Sequence, residues 1–259
     1  MDVILIKLGG SVITDKRKEN TARKKVVNRL AREMKLSGKE LIIVHGAGSF
    51  GHITARAFNL DKGYESKEQL MGFSVTHRNV RILNNIVLEA LLSAGLKAVS
   101  IPPLSFIKLK GKRLHSIDLS LFEDSLQLGL TPVTFGDVVF DAELSFSICS
   151  GDLLMVELAK KFQPEKAIFV IDEDGIYSGD PKKSREVKLL RSVSKDDLMK
   201  ISTDISVTDV TGGMRGKLWS IVEIADQGIE VLVINGNKRN RLLHALLGKK
   251  VKGTTVYGD

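Results

Sequence analysis

A single cysteine, Cys149, stands in a chain of 259 residues. No intrachain disulfide can form, and a thiol-rich metal site is excluded. Aromatic residues are scarce at 5%. None is interleaved with the basic runs, whereas a sheet that stacks RNA bases needs aromatic faces. No apolar stretch approaches the roughly 18 residues that crossing a bilayer takes. The stretch from Met1 to Ser11 has too short an apolar run, and no cationic lead-in, for a signal peptide. The expectation is a cytoplasmic protein that binds neither nucleic acid nor membrane.

Charge, by contrast, is plentiful. There are 39 lysines and arginines against 31 acidic residues, a net charge of +8. The basic residues are spread along the chain, as suits solvated lysines around a site for small anions. Hydrophobic residues at 43% and charged residues at 27% are close to globular averages and argue against disorder. At about 150 residues per domain, the length fits one large α/β domain or two fused lobes. Glycine, at 23 residues, exceeds the usual ~7% share.

Apolar runs alternate with helical patterns almost throughout. Val3 to Leu8 reads as a buried strand ending at Gly9-Gly10, and Thr21 as the cap of a helix with Val26, Val27, Leu30, Ala31 and Met34 on one face. Leu41 to His45 is a second strand, followed by a long helix with Ile82, Leu83, Ile86 and Ala90 on one stripe. Lys97 to Ile101 is a third strand, stopped by Pro102-Pro103. Ser105 to His115 and Val138 to Ile148 read as hairpins. Alternation then resumes: a helix over Asp152–Phe162, a strand over Ala167–Ile171 and a helix over Gly216–Gln227. A strand over Val231–Ile234, a helix over Leu242–Leu247 and a strand over Thr254–Tyr257 follow. The fold class expected is α/β, with a mainly parallel sheet covered on both faces. Its lobes are residues 1–150 and 151–259, with a soft boundary near Gly151.

Four glycine clusters fall where a strand gives way: Gly9-Gly10-Ser11, Gly46 to Gly51 (GAGSFG), Ser150-Gly151-Asp152 and Thr211-Gly212-Gly213. In an open parallel sheet, ligands collect at the carboxyl ends of strands. Glycine there lets backbone N–H groups approach an anion, and a helix N-terminus adds partial positive charge. Four such loops suggest a multiply phosphorylated ligand, or two phosphorylated ligands meeting. The P-loop pattern is absent. Gly46 to Gly51 matches the dinucleotide fingerprint, but Tyr64 to Met71 is not the strand with an acidic end that the fingerprint requires.

Cations stand near these loops. Lys7 lies in the first strand, where an ammonium is costly unless it reaches an anion or snorkels at a sheet edge. Lys16 follows in the next loop. His52 either donates to a phosphate or is a capping or packing histidine, and Lys217 is either a phosphate ligand or an ordinary exposed lysine.

These residues resemble the amino acid kinase family and, within it, the archaeal-type isopentenyl phosphate kinases. The matching stretches are Ile6–Lys16, Val44–His52, Gly72–Arg78, Ser150–Asp152, Ile171–Tyr177 with Asp180-Pro181, Asp209–Lys217 and Ile234–Asn237. They occur in family order over nearly the whole chain. His52 is the selective position, shared among the relatives compared with the fosfomycin-resistance kinase. Ile171 and Glu173 depart from the Thr and Val common there. The resemblance implies an open αβα sandwich, with an acceptor site in the N-terminal lobe and ATP in the C-terminal lobe. Lys7 would contact the transferring phosphoryl group, with Gly9, Gly10 and Ser11 as backbone donors, and Lys16 would stabilise the transition state. Ala47, Gly51, His52 and Gly151 would hold the acceptor phosphate, while Gly48 faces ATP. Asp152 would orient the lysines. Asp172, Tyr177, Asp180 and Gly213 would line the nucleotide site, with Lys217 on its phosphates and Mg²⁺ held mainly through those phosphates. A homodimer is implied too.

The chemistry agrees with this reading. A phosphate monoester is already ionised near neutral pH, with a second pKa near 6, so transfer to it needs no general base. It needs cations and preorganised donors against anion repulsion. The expected reaction is ATP-dependent conversion of isopentenyl phosphate to its diphosphate. Fosfomycin, a nucleoside monophosphate, or a non-catalytic phospholigand sensor are the alternatives. A prenyl tail needs an apolar wall, which Phe73, Val75, Thr76 and Ile82 either form or, as ordinary core, do not. Cys149 reads as a small buried residue.

Overall fold

A computed structural model describes residues 2–179, 187–204 and 213–258. The first half runs β1 (Val3–Leu8), α1 (Gly10–Ile13), α2 (Lys24–Ser37), β2 (Glu40–His45), α3 (Gly48–Ala57), α4 (Glu68–Ser93) and β3 (Ala98–Ser100). Then come β4 (Ile107–Lys110), β5 (Arg113–Ile117), α5 (Ser120–Gln127), β6 (Thr131–Phe135), β7 (Asp137–Asp141) and β8 (Ser145–Cys149). The second half has α6 (Gly151–Phe162), β9 (Lys166–Ile171), β10 (Ser192–Ser194), α7 (Lys195–Asp204), α8 (Gly213–Ala225), β11 (Glu230–Asn235), α9 (Arg241–Leu246) and β12 (Gly253–Tyr257).

Eight strands form one sheet in the order β10-β12-β11-β9-β1-β2-β6-β3. Every neighbouring pair is parallel except β11 with β12. The fold is therefore α/β with a mainly parallel central sheet. β1 lies between β2 and β9, so the chain winds first to one side of it and then to the other, which opens a crevice at the carboxyl ends.

Alternation along β1 divides the core. Ile4, Ile6 and Leu8 face a cluster with Val27, Leu30 and Met34 of α2 and Leu83 and Val87 of α4. Val3 and Leu5 face the other cluster, with Leu154 and Met155 of α6 and Leu218 and Ile221 of α8. Lys7 shares the parity of Val3 and Leu5, so its side chain leaves the strand toward α6 and α8. Burying these two faces supplies the main drive for folding.

The hairpin strands form a second sheet, β5-β4-β7-β8. Gly111 and Lys112 turn β4 into β5 with φ of 55° and 65°, the left-handed pair that a two-residue hairpin turn requires. This sheet packs Leu60, Val138 and Phe146 against Phe58, Phe73 and Ile148.

Three expectations need correction. Thr21 does not cap α2: the helix begins at Lys24 with Arg23 beside it and no side-chain cap. Residues 21–23 are drawn instead into the loop after α1, where Arg23 N–H donates to Ile13 O at 2.7 Å and Asp15 N–H to Thr21 O at 2.9 Å. Phe73 and Ile82 do not share a wall. At about 100° per residue they lie roughly half a turn apart on α4, and Ile82 is exposed whereas Phe73 stacks on Phe140 at 5.7 Å. For the same reason Ile82 leaves the stripe of Leu83, Ile86 and Ala90, which packs on the core.

Candidate active site

Parallel pairing brings the strand ends into one row. Leu8 of β1 is opposite His45 of β2 and Val170 of β9, His45 is opposite Phe135 of β6, and Ile171 is opposite Asn235 of β11. Beyond these ends lie Gly9-Gly10, Gly46, Gly136, Asp172 and Gly236. Turns from distant parts of the chain thus share one edge.

Their backbones touch so closely that side chains are excluded. A Cβ on Gly10 would lie 2.6 Å from both N and Cα of Gly48, and one on Gly46 would lie 2.7 Å from Gly10 N. Gly48 itself has φ of 51° and abuts Thr14, a conformation costly for residues with a Cβ. Thr14 joins the two loops: its hydroxyl donates to Gly10 O at 2.7 Å and accepts from Ser49 N–H at 3.0 Å. A Cβ on Gly51 would meet Ala47 Cβ at 2.6 Å, so Ala47 and Gly51 form a compact first turn of α3. His52 follows on the exposed surface of α3, so it is not a core packing residue.

Gly151 opens α6, with Ser150 as a true cap whose Oγ accepts from Leu153 N–H at 3.1 Å. Its missing Cβ would lie 3.4 Å from Lys7 Cε and 3.3 Å from Val44. Lys7 therefore passes over Gly151, and its Nζ pairs with Asp152 of the same helix turn. The ammonium also stands 5.8 Å from the centre of the Phe169 ring. Lys7 is buried in the middle of the sheet, not snorkelling at an edge. Burial lowers its pKa from the ordinary lysine value, Asp152 opposes that shift, and the positive charge of Lys217 adds to it. Lys217 acts from the first turns of α8. Lys7 is thus held by one carboxylate while a second cation, Lys217, acts on it.

The other half of the crevice centres on Asp172, at the end of β9. Its Oδ1 accepts from Ser11 Oγ at 2.8 Å and its Oδ2 from Lys16 Nζ at 3.1 Å. Burial acts to raise the Asp172 pKa, but these two donors outweigh it and hold it below the usual carboxylate value. Gly9 N–H is bonded to Val170 O at 2.8 Å, so this amide is committed to the sheet and not free for an anion. Tyr177 follows in a short bridge to Leu189. Gly213 opens α8. Asp180, with Thr211-Gly212 of the fourth glycine cluster, lies outside the described residues.

The crevice therefore gathers Lys7, Lys16, Asp152, Asp172 and Lys217 with the turns at Gly10, Gly48 and Gly151. Thr14, Phe169 and Gly136 were not foreseen. Gly136, whose Cβ would lie 3.1 Å from Gly151 N, follows a strand containing Pro132, a residue that argues against a central strand. Cys149 is buried, and burial pushes its thiol up, away from any thiolate role. Among the described residues no helix is long and apolar enough to cross a membrane, and no group of three His, Cys, Asp or Glu could hold a metal ion.

An open α/β sheet whose carboxyl edge carries lysines and interlocked glycine turns, without a P-loop, defines a class of phosphate-handling proteins. The sequence profile of the amino acid kinase family matches residues 2–235. Isopentenyl phosphate kinase of Methanothermobacter thermautotrophicus is 40% identical over 99% of both chains. That of Thermoplasma acidophilum is 36% identical over 93% of this chain and 94% of its own. A solved isopentenyl phosphate kinase superposes with a TM-score of 0.88 at 37% identity, over 98% of this chain and 99% of that one. The chain belongs to the amino acid kinase family.

Proposed function

We propose that this protein transfers the γ-phosphoryl group of ATP to isopentenyl phosphate, forming isopentenyl diphosphate and ADP. Relatives 40% and 36% identical over 99% and 93% of this chain carry that name. The observation that carries the reading here is the Lys7–Asp152 pair over Gly151, with Lys217 close enough to depress Lys7 further. A buried lysine crowded by a second cation gains most when a phosphate dianion arrives between them.

In this reading the acceptor phosphate sits at Ala47, Gly51, His52 and Gly151. His52 donates from α3, and the N-terminus of α6 adds its partial positive charge. The acceptor needs no deprotonation, and Asp152 is not a base. It orients Lys7, which bridges the acceptor and the transferring group. Gly10, Gly48 and the Ser11 turn shape the floor, and Lys16 reaches the γ-phosphoryl oxygens as charge develops. Asp172 holds Lys16 and Ser11 in register. Tyr177, Asp180 and Gly213 border the nucleotide, and Lys217 neutralises its phosphates. The crevice carboxylates, Asp152 and Asp172, already pair with lysines. The residues here therefore suit Mg²⁺ carried in on the nucleotide phosphates rather than caged by the protein. When bound it supplies charge neutralisation there.

Function in the cytoplasm as a homodimer belongs to the same proposal, and sedimentation of the purified chain tests the second part. The reaction itself is tested by ADP release across isopentenyl phosphate, fosfomycin and uridine monophosphate. Turnover with isopentenyl phosphate is expected. Turnover with the nucleotide alone would replace the reading, and no turnover with any acceptor would favour a phospholigand sensor.

A further inference from the structure

Asp174 lies two residues beyond Asp172, after the end of β9. Its Oδ1 accepts from Arg241 NH1 of α9 at 2.6 Å and from Asn235 Nδ2 of β11 at 3.1 Å, and its Oδ2 accepts from Lys252 Nζ at 2.6 Å. Asn235 in turn accepts, through Oδ1, from Asn237 N–H at 2.9 Å. Asn237 Oδ1 accepts from Arg23 NH1 at 2.8 Å, and the same guanidinium nitrogen donates to Val12 O at 3.1 Å. Val12 follows Ser11, whose hydroxyl bonds Asp172. The path closes on itself.

We propose that this ring, a run of hydrogen bonds closed by the backbone steps Ser11–Val12 and Asp172–Asp174, is the device that positions the nucleotide. It runs through Asp172, Ser11, Val12, Arg23, Asn237, Asn235 and Asp174, and it locks the turns after β1, β9 and β11 to one another. The proposal rests on the reading of this crevice as an ATP site. Asp174 and Arg23 are positioning residues in it and touch no substrate.

Three features support it. Asp174, 16% exposed, is anchored from outside the ring by Arg241, 14% exposed, and such a part-buried charge-assisted bond is stronger than a neutral surface one. Burial would raise the Asp174 pKa, but Lys252, Arg241 and Asn235 bring it down to about 2, so the carboxylate stays charged through the neutral range. The remaining backbone of these turns is braced from outside the ring. Arg29 donates to Gly236 O, and Ile176 N–H donates to Thr254 Oγ1 at 2.8 Å. A Cβ on Gly175 would lie 2.5 Å from Thr254 Oγ1 and 3.0 Å from Thr254 N, which leaves no room for a side chain there. Cutting the ring therefore frees the relative placement of three turns without unfolding any of them.

The test compares Asp174→Asn and Arg23→Gln with the parent by direct ATP titration, by KM for each substrate and by thermal midpoint. Both variants are expected to bind ATP roughly ten- to hundredfold more weakly, the loss typical of a charge-assisted bond, with the acceptor KM changed less than about twofold. Parent-like ATP affinity in both folded variants overturns the proposal. So does an equal rise in both KM values, which would mark general loosening. Should Asp174→Asn fail to fold, the more exposed Arg23→Gln decides alone. ATP titration needs no acceptor, so failure of isopentenyl phosphate turnover in the parent would be seen separately from failure of the ring.

Discussion

Lys7 of β1 and Asp152 in the first turn of α6 meet as an ion pair beneath the crevice, the lysine side chain 7% exposed and the aspartate 21%. Removing one partner of a fully buried pair costs about 3–5 kcal/mol, chiefly through the charge left behind. Here Asp152 keeps some solvent, so the cost is smaller.

Asp152→Asn is expected to lower kcat by roughly 10²–10³, because Lys7 loses the group that aims it. The thermal midpoint should fall as well. Steady-state kinetics beside a melting curve check both, and unchanged kcat would remove Asp152 from the proposed mechanism.

Lys16 is a different case. Its side chain is 60% exposed and its bond to Asp172 is a surface one, worth little to stability. Lys16→Met should leave the melting temperature nearly unchanged and ATP binding detectable, while turnover drops by roughly 10²–10³. Isothermal titration with ATP and an ADP-release assay separate the two effects.

His52→Ala should raise the acceptor KM strongly, with a smaller effect on kcat and on the KM for ATP, because the proposed function has the ring donate to the acceptor phosphate. Identical acceptor kinetics in parent and variant would refute a phosphate contact.

Gly10→Ala drives a methyl group to 2.6 Å from the Gly48 backbone. Neither loop can yield without parting the floor of the crevice, so both stability and turnover should fall. Gly216→Ala is the contrasting case, since among the described residues nothing lies within 4 Å of the Cβ position of this fourth residue of α8. It should raise stability by about 0.5–1 kcal/mol. Chemical denaturation of both variants measures the difference.

His45 ends β2 fully buried, with Nε2 on Asn84 Oδ1 at 3.2 Å and the ring stacked on Phe135 at 5.2 Å. Burial lowers its pKa from 6.5 to about 4. In the window between these values the unfolded chain binds the extra proton, so stability present above pH 6.5 is lost as pH falls toward 4. The loss amounts to on the order of 3 kcal/mol. His45→Gln should flatten this part of the stability–pH curve, and an unchanged slope would assign the acid sensitivity elsewhere.

Much of this was legible along the chain. β1, β2 and β9 are short apolar runs stopped by glycine or by a turn, and both hairpins announced themselves by their polar turns. β6 was hidden because Thr131–Phe135 is brief and contains Pro132, whose missing N–H is tolerated where it pairs with Val99 near the end of the short β3. The role of Thr21 was misjudged because a good capping residue was captured by tertiary loop pairing. Phe73 and Ile82 were grouped by composition although helical phase separates them.

Most of the strands and helices, the glycines that end the strands and the identity of the cations were written in the linear pattern, because hydrophobic period and backbone freedom are local properties. Which carboxylate meets which lysine was not. Lys7 finds Asp152, Lys16 finds Asp172, and Asp174 closes a ring through Arg23 only because a parallel sheet with β1 at its centre gathers its distant turns on one edge. That convergence depends on strand order and side-chain parity, and no local stretch of residues encodes either.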